Sequence, residues 1–192
     1  MPKVITHPYE LYIYIRSSDI FSQSYKNSTR GYFQPPLCFY LKILDYFKFK
    51  KVFIISQDNL NPVIPKLLHK YSFIHKKKDS LKLDISYLTN SYNMIAAKST
   101  LFSTSIKFND KLKFLWEFDC SSLSQKYFHL HYSVYEFPFY YTVYYMNSST
   151  NYKKLMYPWS NTPKQRQMMI EEKCINDFII IRAKYSKFYL NI

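Results

Sequence analysis

The chain has 192 residues, enough for one domain with a sizeable core, and 20% of them are Phe, Trp or Tyr, so that core is expected to be unusually aromatic. Its single glycine, Gly31, excludes a Walker loop, a G-x-G-x-x-G turn and other glycine-built phosphate cradles. A formal net charge of +14 favours anionic partners, whether polyanions, membrane surfaces or phosphorylated small molecules, without choosing among them.

Leu11 to Arg16 alternates and is rich in Tyr and Ile, which predicts a strand, and the polar stretch from Ser17 to Gln34 reads as a loop. Pro35-Pro36 then opens a helix whose Leu37, Tyr40, Leu41 and Leu44 fall at helical spacing. The continuous apolar run VFIIS, 52–56, has the character of a buried central strand of a parallel sheet. Asn61-Pro62 starts a second helix through Leu68 and Tyr71, with Pro65 still in the tolerant first turn. Asp79 or Ser80 caps a third, in which Leu81, Ile85 and Leu88 recur at helical intervals. NMIAA, 93–97, predicts another short buried strand, Ser99-Thr100 a helix start, and KLKFLWEF, 111–118, a further strand.

Beyond Asp119 the periodicity weakens. The aromatic run Tyr132 to Tyr145 is apolar enough for strands, Pro163 to Lys173 suggests a closing helix, and FIIIRAKYSKFYLNI a last strand. Strands alternating with helices at these spacings predict an α/β fold, a Rossmann-like parallel sheet flanked by helices over 1–119. Residues 120–192 are expected to form an aromatic-rich C-terminal appendage that rests on the sheet.

Several features have ordinary readings. The lysine clusters Lys48/Lys50/Lys51 and Lys76/Lys77/Lys78 read as solvated loop edges, and no nucleic-acid-binding signature accompanies them. Cys38, Cys120 and Cys174 are odd in number and widely spaced, so no disulfide framework is implied and each is expected to be a small buried hydrophobe. His129 and His131 share a face of HLH, but no third ligand stands at metal spacing. Trp159 reads as a packing anchor. The sequons Asn27-Ser28-Thr29 and Asn147-Ser148-Ser149 matter only in a secretory compartment. No 18-residue apolar stretch exists, and MPKVITHPYE lacks the apolar core of a signal peptide, so no membrane segment is expected.

In parallel sheets with helices on both faces, ligands bind at the carboxyl ends of strands. Arg16, Ser17, Ser18 and Asp19 lie at such an end, and Ser99-Thr100 at another, so both are expected to face one crevice. Arg16 offers a planar, permanently charged fork to phosphate oxygens; its alternative is an ion pair with Asp19 that pins the loop. Ser99 and Thr100 bring hydroxyls and backbone N–H groups at a helix start, where the alternative is plain N-capping. Asp84 lies on the third helix and can accept two N–H donors from a guanine edge; the alternative is a solvated carboxylate. No catalytic base is legible.

IYIRSSDIF, YFQPPLCFYLKIL, VFIISQDNLNPVI, SLKLDISYL and AAKSTLF, in that order, resemble the donor-binding half of the fucosyltransferase superfamily. The positions matching the family's His-x-Arg-x-Gly-Asp motif are Tyr14, Arg16, Ser18 and Asp19; Asp84 matches its intervening Asp, and Ser99-Thr100-Leu101 its Ser-Thr-Phe element. The resemblance covers about residues 11 to 118 and implies one lobe of a GT-B-type glycosyltransferase that uses GDP-fucose. It implies that Arg16, Ser99 and Thr100 hold the donor diphosphate, that Asp84 reads the guanine, and that no metal cofactor is needed. It further implies a glycan or protein acceptor and a secretory-pathway location. Tyr14 replaces His, Leu101 replaces Phe, and Ser18 replaces Gly, the last expected to cost the turn a left-handed conformation. Two other readings stand beside the enzyme: a non-catalytic nucleotide-sugar-binding relative, and, more remotely, a basic nucleic-acid-binding domain.

Overall fold

The computed structural model describes residues 2–22, 32, 34–77, 79–119 and 140–184. Its centre is the strand β1 (Glu10–Tyr14), whose Leu11 and Ile13, with Ile15 just beyond, are buried on one face and Tyr12 on the other. Alternation here does not separate core from solvent; it separates two cores. β2 (Lys51–Ile55) pairs parallel to β1 and divides likewise, Val52 and Ile54 to one side and Ile55 to the other. Burial on both faces explains its unbroken apolar run.

Helix α1 (Leu37–Tyr46) follows Pro36, whose extended backbone suits the N-cap, and buries Phe39, Tyr40, Ile43 and Leu44. α2 (Val63–Lys70) starts after Pro62 and accommodates Pro65 in its first turn, where a missing N–H leaves no helical bond unmade. α3 (Leu81–Leu88) begins after Ser80 but buries only Ser86 and Leu88; Leu81, read as part of an apolar stripe, is 59% exposed. One strand is absent from the sequence-based order. Residues Ile74–Lys77 form β3, an edge strand pairing parallel to β2, where a charged loop edge is expected. Only Ile74 of the four is buried, so no alternation marks it, and its lysines blunt an exposed sheet edge. β4 (Asn93–Ile95) pairs with β1, α4 (Thr100–Ile106) follows it, and β5 (Phe114–Asp119) pairs with β4.

From residue 140 the chain extends the sheet. β6 (Tyr140–Asn147) pairs parallel to β5, α5 (Thr150–Met156) and α6 (Pro163–Glu171) follow, and β7 (Ile179–Lys184) pairs antiparallel to β6. The strand order is β3-β2-β1-β4-β5-β6-β7. The fold is therefore α/β, with a seven-stranded, mostly parallel sheet flanked by helices and a Rossmann-like order in its parallel part. α1, α2, α5 and α6 cover one face, where Trp116, Tyr152, Met156, Trp159 and Met169 lie among the β1 and β2 side chains. α3 and α4 cover the other, around Tyr12, Met94, Phe102, Leu115 and Val143. Among the described residues no helix is long and apolar enough to cross a membrane.

The expectation that no cysteine pairs is overturned. Cys38 in the first turn of α1 and Cys174 just after α6 form a disulfide, with Cα atoms 5.6 Å apart and a sequence separation of 136. Spacing along the chain carries no information about which helices meet, and α1 and α6 meet only because both cover the same sheet face. Cys120, His129 and His131, Gly31, Asn27 and Lys78 lie outside the described residues, as does most of the aromatic run from Tyr132.

Candidate functional site

The order of the sheet reverses at β1. The chain runs from β1 outward through β2 to β3, then crosses back to β4 on the other side of β1 and proceeds to β5. The carboxyl ends of β1 and β4 therefore flank a topological switch point, the crevice where open parallel sheets bind ligands. Arg16 follows β1 and Ser99 follows β4, so the two predicted elements meet at that crevice. Tyr14 bridges them: the hydroxyls of Ser99 and Tyr14 lie 3.5 Å apart.

Tyr14 is also where the predicted charges converge. Burial pushes its phenol upward, opposed by the Ser99 hydrogen bond and the Arg16 charge and reinforced by the carboxylates of Asp84 and Asp19. Tyr14, Arg16, Asp19, Asp84 and Ser99 thus share one electrostatic environment. The Tyr14 hydroxyl stays protonated at neutral pH, and its oxygen accepts from the Ser99 hydroxyl.

Arg16 forms the ion pair that is its alternative reading. Its Nη2 donates to Asp19 Oδ2 at 2.9 Å, and its guanidinium lies 4.4 Å from the centroid of the Tyr32 ring. The pair is largely solvated, since the Asp19 side chain is 60% exposed, and such pairs contribute little to stability. Among the described residues the other guanidinium N–H groups have no protein partner. Stacking fixes the plane of the fork.

A part-buried polar network holds the Arg16 loop, and its centre is Asp58, a residue that no sequence motif singles out. Asp58 Oδ1 accepts from the Ser17 hydroxyl, from the Ser18 N–H at 3.2 Å and from the Leu60 N–H at 2.9 Å. Ser17 Oγ in turn accepts the Asn61 N–H at 2.9 Å, and Asn61 Nδ2 donates to the Arg16 carbonyl at 3.0 Å. Burial pushes the Asp58 carboxyl upward, but these donors and the Lys76 charge outweigh it and lower it overall. Asp58 follows β2 at the same sheet edge as Arg16; that position was the available signal.

Ser18 corrects an expectation. Its φ is 55°, so the turn keeps the left-handed conformation without the glycine of the resembled motif. The Asp58 carboxylate, by accepting the Ser18 N–H, helps hold a conformation unfavourable to a residue with a Cβ. Ser18→Gly is expected to stabilise the protein by about 1 kcal/mol, read as a higher urea midpoint. An unchanged or lower midpoint would show that the turn carries no such strain.

The segment after residue 140 reaches the same loop from the other side. Trp159 Nε1 donates to the Ile20 carbonyl at 2.9 Å, Arg166 to the Phe21 carbonyl, and Asn161 Nδ2 to the Ser22 carbonyl at 3.0 Å. Three successive carbonyls of the loop are thereby satisfied by donors far along the chain. Trp159 is fully buried against Phe21, so it is the packing anchor its sequence context indicates, and an orienting donor besides.

Ser99 is the N-cap of α4 and accepts the Phe102 N–H at 3.5 Å; Thr100 is exposed in the first turn. Asp84, half-buried on α3, has its carboxyl pushed up to about 6 by burial and by the Asp79 carboxylate, with Lys77 opposing. The folded protein therefore holds this proton more tightly than the unfolded chain. Stability falls as pH rises from about 4 to about 6. Asp84→Asn is expected to stabilise the protein at pH 7 by no more than about 1 kcal/mol after allowance for solvent screening, and to be neutral below about pH 4. Equal melting curves at both pH values would remove Asp84 from the list of strained groups.

The clustered lysines are engaged locally. Lys76 Nζ donates to Asn59 Oδ1 at 2.7 Å, and Lys77 Nζ donates to the Tyr87 hydroxyl at 3.0 Å while lying over the Tyr87 and Phe53 rings. Lys48 Nζ bonds the Asp45 carbonyl at 3.1 Å, and Lys50 Nζ lies over Tyr9. No protein-family model, curated protein or solved structure matches this chain.

Proposed function

We propose that this protein is a GDP-sugar-dependent glycosyltransferase, fucosyltransferase-like, with its donor diphosphate in the crevice between β1 and β4. The observation that carries the reading is Arg16: a stacked guanidinium with N–H donors that no other described residue takes up, at the switch point of a Rossmann-like sheet. Departure of a nucleoside diphosphate from a sugar builds negative charge on the leaving oxygens, and a preorganised cation offsets that charge without reorganising. Arg16 supplies the cation, Ser99 and Thr100 supply hydroxyl donors, and the protonated Tyr14 hydroxyl supplies another. Asp84, ionised above about pH 6, accepts the N–H edge of guanine. With these donors the reaction calls for no metal. The acceptor is a glycan or a protein, and the chain corresponds to one lobe of a GT-B-type enzyme.

A second reading has its own observation. Tyr14 stands where the resembled motif has histidine, and a phenol raised by burial cannot take up a proton near neutrality. A relative that binds the nucleotide sugar without turning it over would keep Arg16 and lose that proton exchange. Titration calorimetry with GDP, GDP-fucose, a UDP-sugar and a short oligonucleotide separates the readings. Saturable GDP binding supports both, and donor hydrolysis or transfer then distinguishes the enzyme. Binding to the oligonucleotide alone, steeply weakened by salt, would sink both and leave a basic nucleic-acid-binding domain.

A further inference from the structure

We infer that Asn147 is an N-glycan acceptor, and that its modification precedes folding of the α5 turn. The inference rests on the disulfide and on the geometry of the Asn147-Ser148-Ser149 sequon, independently of the glycosyltransferase reading.

Cys38 and Cys174 are only half-buried, and a disulfide within reach of solvent persists where the surroundings are oxidising, as in the lumen of the secretory pathway. That is the compartment in which an Asn-x-Ser sequence becomes a modification signal. Asn147 is the last residue of β6 and is exposed. Its backbone carbonyl accepts from Asn176 Nδ2 at 3.0 Å, while its own side-chain amide makes no hydrogen bond among the described residues. Among the described residues a sugar on that nitrogen displaces no hydrogen bond.

Ser149 sets the order of events. In the folded protein its hydroxyl donates to Glu172 Oε1 at 2.7 Å and accepts the Tyr152 N–H at 3.1 Å as the N-cap of α5. The sequon hydroxyl needed for recognition is then occupied, so transfer belongs to the extended chain, before α5 and the end of α6 come together. In the transfer, the Asn147 Nδ2 attacks the anomeric carbon of an oligosaccharide carried on a polyprenyl diphosphate. The C–N bond forms as the C–O bond to the diphosphate breaks; the nitrogen loses one proton, and polyprenyl diphosphate leaves.

The test uses the full chain recovered from the cells that make it. Peptide N-glycosidase digestion in heavy-oxygen water should convert Asn147 to labelled aspartate in the peptide map and raise the gel mobility of the protein. Asn147→Gln, expressed in the same cells, should lose one glycosidase-sensitive mobility step that Asn27→Gln retains. Unlabelled Asn147 in the recovered chain overturns the inference, whether Cys38 and Cys174 are found bonded or free. A glycan confined to Asn27 overturns it equally.

Discussion

Replacing Arg16 with alanine is expected to weaken GDP binding about 100-fold, the equivalent of losing two charge-assisted hydrogen bonds of about 1.5 kcal/mol each. The fold should barely register the change. Arg16 otherwise makes a largely solvated ion pair to Asp19 and a stack on Tyr32, together about 1–2 kcal/mol, or a few degrees of melting temperature. Arg16→Lys keeps the charge but loses the fork and should recover only part of the affinity. Asp19→Ala removes a competing acceptor and should leave GDP binding no weaker. Titration calorimetry and thermal melts on the three variants decide the matter. If Arg16→Ala binds GDP normally and instead melts far lower, Arg16 is a loop pin and the proposed donor site is wrong.

Loss of the Cys38–Cys174 bond is expected to have the largest effect on stability. By chain-entropy reasoning a cross-link closing a loop of 136 residues stabilises by about 5 kcal/mol. At about 2–4 °C per kcal/mol for a chain of this size, the Cys38→Ser/Cys174→Ser variant should melt roughly 10 °C or more below the parent. Reductant should lower the parent to the same temperature and leave the double variant where it is. A reductant-insensitive melt in the parent would show that the cross-link contributes nothing.

The same bond bears on the candidate site. α6 carries Arg166 and is preceded by Trp159 and Asn161, the residues that satisfy the carbonyls of Ile20, Phe21 and Ser22. Tyr152 of α5 adds a bond from its hydroxyl to the Gln34 carbonyl at 2.8 Å, at the entrance to α1. The loop bearing Arg16 is thus held between Asp58 on one side and the α5–α6 segment on the other. An appendage that merely rested on the sheet would do neither; residues after 140 complete the sheet and buttress the loop.

The parts of this protein visible in its sequence are those governed by neighbours along the chain. Apolar period and proline placement located β1, α1, β2 and α2 because helix and strand each impose a local spacing on buried side chains, and the Ser99-Thr100 cap marked the start of α4. The carboxyl-end rule then singled out Arg16 and Ser99, and alternation of strands with helices indicated a parallel sheet. Tertiary structure alone decided the rest. β3 exists because β2 offers an open edge, although IHKK has no strand-like alternation. Cys38 meets Cys174, and Trp159 meets Ile20, at sequence separations of 136 and 139, because the helices that carry or precede them lie on one sheet face. Ser18 keeps a left-handed turn because a carboxylate forty residues away along the chain accepts its N–H. Local spacing records which face of an element is buried, but it holds no record of what buries it, and every one of these contacts belongs to that second question.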